Sequence, residues 1–468
     1  MDSHDVESAV KLGGLELPDG ADYEVVGDDP VLPSPHYLGR GAAVARLLTG
    51  LAANELWRVR TGRSQKVTVD LLHAAASLRS YMHFKTLDGA EPRPAMDITA
   101  RGLRVGGIVP TRDDRWFQLH GSFNDTPQIL EELGLDETVS KEDVAAAVKE
   151  RDAFELEAAF IRRKVCGGVV MSRDEWAEHP QGRAIADWPV VKITKIADGP
   201  PQPLPEGDRP TSGIRVLDVT RVLAGPTCAK TIGEHGADVL HISAPFLERG
   251  GLFDDDTGIG KRQAHLDLNQ PDQAETMRRL IRDADVFSQG YRLGTLARRG
   301  FTPEEVAELR PGIVYVSENC YGHVGPWAER PGWEQLGQAA TGMTFREGQA
   351  AEDGVPRLAP AAVNDYSTGF FAAYGAMMAL SKRATEGGSW HVQVSLSSSC
   401  MWYQRLGDDN DHAAADIGDL RPFYGEMDTP DHGRIQYLKP AVTMSETQAR
   451  WDLPPVPHGR HEPVWLPR

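Results

Sequence analysis

The sequence predicts an α/β protein with a Rossmann-like core of parallel strands and a smaller α+β domain. Short apolar strands alternate with helices from Gly213 onward, a pattern typical of βαβ units. A stretch rich in proline, glycine and charge, residues 197–210, precedes them and has the composition of a linker. A helix–turn–strand–helix pattern occurs on both sides of this linker, so the chain is also predicted to be internally duplicated.

Composition limits the classes of function. The 468 residues comprise 40% hydrophobic and 25% charged residues, which is typical of a soluble globular protein with two to four domains. Fifty Lys and Arg against 68 Asp and Glu give a net charge of −18. A charge of this sign repels a phosphate backbone and disfavours nucleic acid as a partner.

The sequence offers no sign of export, membrane insertion or a metal site. The first residues are acidic where a secretory signal is basic, and no apolar run approaches the roughly 18 residues that span a bilayer. The four cysteines (Cys166, Cys228, Cys320 and Cys400) lie far apart and form no C-x-x-C pair, which disfavours a zinc ribbon or a disulfide framework. We therefore expect a cytoplasmic protein without a membrane partner or a metal.

The predicted elements follow from hydrophobic periodicity and turn residues. Before the linker, the pattern predicts helices near residues 42–56 and 72–83 and over 140–164, with strands at 66–71 and 116–120. After it, the pattern predicts strands at 214–219, 237–242, 265–268, 285–288 and 313–317, with helices at 226–235, 271–283 and 303–309. Residues 369–380 form the longest apolar run and are predicted to be a buried helix.

The internal repeat becomes visible when Val67 is aligned with Val392. At this constant spacing Gly50, Arg58, Gly62, Ser64, Val69 and Leu71 match Gly375, Arg383, Gly387, Ser389, Val394 and Leu396. Each copy reads as an alanine-rich helix, a glycine turn, a strand and a second helix. A chance likeness between two units of this kind is the alternative.

Asp365 is the strongest candidate for a reacting group. It lies where an extended segment turns into the apolar helix, so it is either a cap that accepts backbone N–H bonds or a nucleophilic carboxylate. A second cluster, residues 221–228, follows the strand that ends at Val219. We expect Gly225 to allow a tight turn there and Pro226 to start a helix whose amides receive a phosphate or a pantetheine carbonyl.

Other candidates have weaker signals. Lys261 and Arg262, before the strand predicted at 265–268, and Arg292, after the strand at 285–288, are phosphate contacts or solvated charges. His323 and Cys320 follow another strand end, where α/β proteins bind ligands. His323 is a candidate base and Cys320 a candidate nucleophile, but no orienting partner is evident for either.

Taken together, these motifs resemble the class III CoA-transferase (CaiB/BaiF) family. The resemblance extends from about Gly213 to Trp402, and residues 434–461 resemble the closing segment of that family. The motifs are residues 214–226, Gly236-Ala-Asp-Val239, Lys261-Arg262, Ala284-Asp-Val286, Gly322-x-x-Gly-Pro326, Arg330-Pro-Gly332 and Asp365-x-x-x-Gly369.

The resemblance implies a division of the chain. Residues 1–205 resemble the later part of the family, including its small domain, and are expected to be a degenerate copy. Residues 206–402 would be the Rossmann-like CoA-binding catalytic domain, and residues 403–468 the closing segment. Arg40 stands opposite Asp365 in the first copy, so we expect one active site per chain.

The resemblance also implies the chemistry. Asp365 would attack an acyl-CoA thioester, and the resulting aspartyl-CoA thioester would pass CoA to a carboxylic acid. Glu334 is the second catalytic candidate, positioning the acid or the loop. Val222, Leu223, Ala224 and Gly225 would shape the CoA-binding turn, with Lys261, Arg262 and Arg292 contacting phosphate. CoA would be a substrate, and no tightly bound cofactor is implied.

Two departures from the family pattern keep alternatives open. Ser243 and His241 replace an acidic residue and a lysine, which motivates a non-catalytic subunit of a heteromeric transferase. An acyl-CoA racemase or isomerase is the other alternative, but Trp333 stands where the racemase branch has a histidine, and one base of a two-base device would be lost. Family members are interlaced dimers, so we expect a homodimer or a heteromer with another family member.

Overall fold

The computed structural model describes residues 1–18, 20–87, 104–121, 125–415 and 417–467. Its α-helices are α1 (Ser3–Leu12), α2 (Leu38–Thr61), α3 (Leu71–Ser77), α4 (Ser80–His83), α5 (Thr126–Leu133), α6 (Lys141–Lys149), α7 (Ala153–Arg163), α8 (Arg173–Glu178), α9 (Pro180–Ile185), α10 (Ala224–Gly233), α11 (Leu252–Gly258), α12 (Pro271–Arg282), α13 (Pro303–Leu309), α14 (Glu334–Thr341), α15 (Met343–Gln349), α16 (Val363–Thr385) and α17 (Leu396–Arg405).

The strands form one large and three small sheets. They are β1 (Tyr23–Val26), β2 (Val67–Asp70), β3 (Lys85–Thr86), β4 (Gly106–Pro110), β5 (Trp116–His120), β6 (Gly167–Val169), β7 (Lys192–Ala197), β8 (Arg215–Val219), β9 (Asp238–Ser243), β10 (Lys261–His265), β11 (Val286–Gln289), β12 (Val314–Asn319), β13 (Ser389–Ser395), β14 (Tyr424–Thr429), β15 (Gly433–Leu438) and β16 (Val442–Met444).

The large sheet confirms the predicted α/β fold. Its seven strands run in the order β10-β9-β8-β11-β12-β13-β7, and every pair is parallel except β13 with β7. The chain moves outward in one direction from β8 to β10 and in the other from β11 to β13. This reversal leaves a crevice beyond the carboxyl ends of β8 and β11, where doubly wound α/β proteins bind their ligands.

Helix α16 is the centre of the main core. Nineteen of its residues, including all from Val363 to Met377, are buried, as expected for an apolar helix enclosed on all sides. Its closest neighbours are α10 and α2. Gly369 allows the approach of α10, because a Cβ there would lie 2.5 Å from the Ala224 carbonyl oxygen. The predicted buried helix at residues 369–380 is thereby confirmed.

The small domain is an antiparallel sheet covered by helices. Strands β4, β5 and β6 pair in this order, and α5, α6 and α7 pack against them around Phe117 and Phe160, whose rings meet edge to face at 5.3 Å. Arg330 and Glu157, 3.0 Å apart and almost fully buried, connect α7 to the loop before α14. The small domain is thus held against the main sheet's ligand-binding edge.

Strand β10 begins earlier than the sequence pattern indicated. The prediction of a strand at residues 265–268, preceded by Lys261 and Arg262, is wrong, because both residues lie within β10 itself. Each of the two charges is paired with an aspartate of another strand of the sheet. Lys261 Nζ lies 2.7 Å from Asp218 Oδ2, and the Arg262 guanidinium contacts Asp238 and donates to the Val464 carbonyl oxygen.

The two halves of the predicted repeat have the same strand arrangement. Strand β2 pairs with β1 in parallel and with β16 antiparallel, just as β13 pairs with β12 in parallel and with β7 antiparallel. A Cβ on Gly50 would lie 2.5 Å from Val67 Cγ1, and a Cβ on Gly375 would lie 2.5 Å from Val392 Cγ1. This match supports the duplication, which stays a prediction.

The two halves also share sheets. Strand β7 comes from before the linker and completes the large sheet, while β16, near the end of the chain, completes the small sheet of β1 and β2. Two elements from before the linker, α2 and β7, therefore pack directly on the main core. Across the described ranges, no helix is both long enough and apolar enough to cross a membrane. The boundary at residues 205 and 206 stays a prediction.

Gly50→Ala and Gly375→Ala should each destabilise the fold. The added methyl groups would overlap a valine on the neighbouring strand, and overpacking of this kind costs about 1–3 kcal/mol, which exceeds the gain in helix propensity. Urea unfolding should show both variants shifted to lower midpoints by similar amounts. Lys382→Ala, at a partly exposed position of α16, is the control, and an equal shift there would contradict the packing explanation.

Candidate active site

The main cavity lies in the crevice beyond β8 and β11. It has a volume of about 310 Å³. The loops that follow β8, β11 and β12 line it, together with the start of α16. The small domain contributes two more lining residues, one just before α5 and one just before β6. The lining residues are Asp125, Cys166, Arg221, Val222, Leu223, Ala224, Gly290, Tyr291, Arg292, Thr295, Glu318, Asn319, Cys320, Pro331, Gly332, Trp333, Asp365 and Leu396.

Asp365 is enclosed at this cavity. It is the third residue of α16, after Ala362 as N-cap, so the side chain is not the cap that the local sequence allowed. Its exposed fraction is 9%. Burial raises the pKa of this carboxyl to about 7, because removing a carboxylate from water disfavours its charged form. A carboxylate with few water neighbours is also a better nucleophile than a solvated one.

Glu334 holds the first turn of α16. Its Oε1 accepts hydrogen bonds from the Asn364 backbone N–H at 3.2 Å and from Gln338 Nε2 at 3.1 Å, and the backbone N–H of Asp365 also bonds to it. Burial and the Asp365 charge raise the Glu334 pKa well above its ordinary value. Glu334 is not among the residues that line the cavity, so it contacts the backbone that carries Asp365.

The turn after β8 has a strained backbone. Val222 has φ of 68°, a left-handed conformation that is unfavourable for a β-branched residue and is concentrated at functional sites. Val222, Leu223 and Ala224 line the cavity, and α10 begins at Ala224. The structure brings these three predicted residues together with Asp365.

Gly225 has a different role from the one predicted. It lies inside α10, and its φ is not positive, so the turn does not need its conformational freedom. Its missing side chain makes room instead. A Cβ at this position would lie 2.5 Å from Thr220 Cβ and 2.6 Å from Glu318 Oε1.

Glu318 is a cavity residue that sequence reasoning missed. It lies near the end of β12, and its carboxyl is enclosed between Gly225 of α10 and the loop after β11, since a Cβ on Gly290 would lie 2.3 Å from Glu318 Oε1. Oε2 is buried and has no hydrogen-bond partner among the described residues. Burial, and then the charge of Asp365, raise the Glu318 pKa well above its usual range.

The sequence feature that could have identified Glu318 is its position directly after a predicted strand. It follows a predicted strand of a parallel sheet, and the carboxyl ends of such strands line the ligand crevice. Sequence reasoning selected His323 and Cys320 from the same segment. His323 Nε2 contacts the Val394 carbonyl oxygen at 3.1 Å, away from the cavity, and burial lowers its pKa to about 4. Cys320 lines the cavity, but burial raises its pKa, which keeps the thiol protonated.

The predicted phosphate contacts lie in different places. Arg292 lines the main cavity with its side chain 46% exposed, 3.6 Å from Asp125. Lys261 instead lines a narrow neighbouring pocket that shares Arg221 and Val222 with the main cavity. Arg262 lines neither of these pockets. Only Arg292 of the three is therefore beside Asp365's cavity.

A second cavity of about 120 Å³ is adjacent to the first. The two share Tyr291 and Thr295 on the loop after β11, and Ser243 and Phe246, at and just after the end of β9, also line the second. Arg299 is another lining residue of the second cavity. Both cavities lie at the carboxyl edge of the sheet. In the part of the chain that the structure describes, no group of three or more His, Cys, Asp or Glu residues is arranged to hold a metal.

Comparison with known proteins identifies a family. The model of CoA-transferase family III matches residues 211–407, which include β8 to α17 and all the cavity-lining residues except Asp125 and Cys166. Conversely, the residues before position 211 lie outside that match.

Two curated relatives match most of the chain. An acyl-CoA transferase of Gibberella moniliformis is 32% identical over 413 residues, which are 80% of this chain and 72% of the relative. An acetyl-coenzyme A transferase of Hypoxylon pulicicidum is 29% identical over 460 residues, covering 88% and 76%. Among solved structures, a CaiB/BaiF family protein from Brucella suis is 26% identical with a TM-score of 0.39, over 49% of this chain and 65% of that one.

Asp365→Asn should stabilise the protein more at pH 8 than at pH 5. Because burial raises the Asp365 pKa from 3.8 to about 7, the folded state retains its proton more tightly than the unfolded state. The resulting stabilisation is complete below pH 4 and is lost as the pH rises through 7. The neutral amide avoids this loss.

Thermal unfolding of both proteins at pH 5 and pH 8 measures the effect. Asp353→Asn is the control, because this carboxyl is fully exposed and its pKa is lowered by the Val355 backbone N–H. An equal gain from Asp365→Asn at both pH values would contradict the buried charge.

Glu334→Ala should destabilise the first turn of α16. It leaves the buried amides of Asn364 and Asp365 without their acceptor, which costs about 1–3 kcal/mol. Glu334→Gln keeps an acceptor oxygen and should lose much less stability. Urea unfolding measures this difference, and amide hydrogen exchange at residues 364 and 365 locates it. Unchanged exchange in Glu334→Ala would contradict the capping role.

Proposed function

The chain belongs to CoA-transferase family III and is a CoA-transferase, and on this premise we propose that it moves CoA from an acyl-CoA to a carboxylic acid through a thioester on Asp365. The observation that carries the proposal is the enclosed carboxyl of Asp365, with its pKa raised to about 7, at a cavity of about 310 Å³. At neutral pH a large fraction of this group is ionised and poorly solvated, as a nucleophile requires.

The proposed reaction has two symmetrical halves. Asp365 attacks the thioester carbonyl of the donor, the C–S bond breaks, and a mixed anhydride forms. The released CoA sulfur then attacks the Asp365 carbonyl carbon and displaces the donor's acid. The acceptor carboxylate attacks the aspartyl-CoA thioester, and the same steps in reverse give the new acyl-CoA. No water takes part, so the energy of the thioester is conserved.

The adjacent cavities suggest an orientation for CoA. In this proposal the adenosine end lies at the second cavity near Phe246, where Arg299, and Arg292 of the main cavity, are the cations nearest to its phosphates. The pantetheine arm then passes the turn at Val222–Gly225 and brings the thioester to Asp365. Lys261 and Arg262 contribute indirectly in this orientation, because their charges are paired with Asp218 and Asp238. Lys261 fixes the start of α10 by donating to the Pro226 carbonyl oxygen at 2.7 Å.

Glu334 is a positioning residue in this proposal. Its hydrogen bonds to the amides of residues 364 and 365 fix the direction of the Asp365 side chain. The small domain contributes Asp125 and Cys166 to the cavity and is suited to contacting the acyl group or the acceptor acid. We further propose that the protein assembles as a homodimer, or as a heteromer with another family member.

Asp365→Ala should abolish a covalent CoA adduct. Incubating the protein with acetyl-CoA and succinyl-CoA, followed by intact and peptide mass spectrometry, should reveal a hydroxylamine-sensitive CoA adduct on Asp365. Asp353→Ala, at an exposed position, is the control and should form the adduct like the wild type. An adduct that survives Asp365→Ala would contradict the assignment of the nucleophile.

The alternatives have different signatures. Solvent deuterium entering the α-carbon of a 2-methylacyl-CoA, without an adduct or an acceptor acid, would favour an acyl-CoA racemase or isomerase. No turnover alone, with turnover restored by a second family member that co-purifies, would favour a non-catalytic subunit.

A further inference from the structure

We propose that Glu318 is a second catalytic residue, a general acid and base that gives a proton to the CoA sulfur as it leaves and takes it back when the sulfur attacks. This inference rests on the proposed function, because it assigns a role in the step at Asp365. The role differs from that of Glu334, which contacts the backbone of α16 and lies outside the cavity lining.

The first argument is the location of the Glu318 carboxyl. It lies in the narrow space between the first turn of α10 and the loop after β11, because a Cβ on Gly225 or on Gly290 would come within 2.6 Å or 2.3 Å of its Oε1. Glu318 also lines the cavity that holds Asp365, together with Ala224 and Gly290. A thioester bound in this cavity for attack by Asp365 therefore lies in the same enclosed space as the Glu318 carboxyl.

The second argument is that one oxygen of the Glu318 carboxyl lacks a hydrogen-bond partner. The backbone N–H of Gly225, in the first turn of α10, hydrogen-bonds to the carboxyl, whereas Oε2 is buried without a hydrogen-bond partner among the residues described. A buried polar atom without a partner is costly, so it is expected to find one when a substrate fills the cavity. A protonated Oε2 supplies the donor that a leaving sulfur needs.

The third argument is the charge around Glu318. The charges of Asp365 and Asp218 raise the Glu318 pKa, and the charge of Lys261 lowers it. The Cys228 thiol is also close, because the charge of Glu318 raises its pKa. Burial and the Asp365 charge outweigh Lys261, whose ammonium is already paired with Asp218 at 2.7 Å. Burial and the charge of Asp365 therefore favour the protonated form of Glu318, which is the form that the step requires.

The proton balances over the two steps. When Asp365 Oδ bonds to the acyl carbon and the C–S bond breaks, the proton moves from Glu318 Oε2 to sulfur. The negative charge brought by Asp365 then resides on Glu318, where the Gly225 N–H and the start of α10 stabilise it. When the thiol attacks the Asp365 carbonyl carbon, the proton returns to Glu318 and the donor's carboxylate leaves. No free thiolate has to exist in the cavity.

Glu318→Gln tests this role, because the amide retains an acceptor for the Gly225 N–H but has no acidic proton. We expect the single-turnover rate of CoA-adduct formation from acetyl-CoA or succinyl-CoA to fall by about 100-fold, the scale of general acid catalysis. The wild-type rate should decline at high pH, where Glu318 loses its proton, and should be slower in D₂O. Both effects should disappear in Glu318→Gln.

Glu347→Gln is the matched control. Glu347 is also buried, with its pKa raised to about 7, but it is hydrogen-bonded to Ser34 and lies away from the cavity. Its variant should retain the wild-type rate, pH profile and D₂O effect. Glu318→Asp, which keeps an acid, should retain the decline at high pH and the D₂O effect at a reduced rate, and it serves if Glu318→Gln does not fold.

The outcomes separate this inference from the proposed function. An adduct in the wild type together with an unchanged rate in Glu318→Gln would overturn the inference alone. A slow variant that keeps the high-pH decline and the D₂O effect would also overturn it, since Glu318 would then only shape the cavity. Loss of both effects in Glu318→Asp would overturn it as well. Absence of any adduct in the wild type would instead overturn the role of Asp365.

Discussion

The burial of Asp365 at the start of α16 is the constraint on which the rest of the site depends. A carboxylate excluded from water is reactive but costly, and its environment must hold it without neutralising it. Two further carboxyls, those of Glu334 and Glu318, lie close enough for the charge of Asp365 to raise their pKa values. The backbone amides at the starts of α16 and α10 bond to these two glutamates. Three acids can thus share one enclosed region because not all are ionised at once.

This arrangement explains the shape of the surrounding fold. The amides that bond to the two glutamates come from helices that meet at Gly369, whose missing side chain allows α10 and α16 to touch. Gly225 and Gly290 have no Cβ, so the Glu318 carboxyl fits between the first turn of α10 and the loop after β11. Each glycine is needed for the space it leaves rather than for a special backbone angle, since none of the three has a positive φ.

Much of the fold follows from the sequence, and the interior of the site follows only in part. Alternation of apolar strands and helices predicts β8, β9, β11 and β12 within one or two residues, because buried parallel strands leave a strong local signal. The same reasoning fails at β10, where Lys261 and Arg262 interrupt the apolar pattern. Their partners, Asp218 and Asp238, lie on β8 and β9 and become neighbours only when the sheet forms. Local sequence carries no information about such compensation.

The same limit explains why the sequence singles out Asp365 and not Glu318. Asp365 belongs to a motif with a recognisable spacing, whereas Glu318 is enclosed by Gly225 and Gly290, which are distant from it in sequence. The structure therefore changes the emphasis within the site. Two of the basic residues that sequence reasoning assigned to phosphate, Lys261 and Arg262, pair with acids of the sheet, while a second acid, Glu318, lines the cavity with Asp365. A transfer that neither consumes nor releases a proton overall still needs one to be held nearby, which is the role that we propose for Glu318.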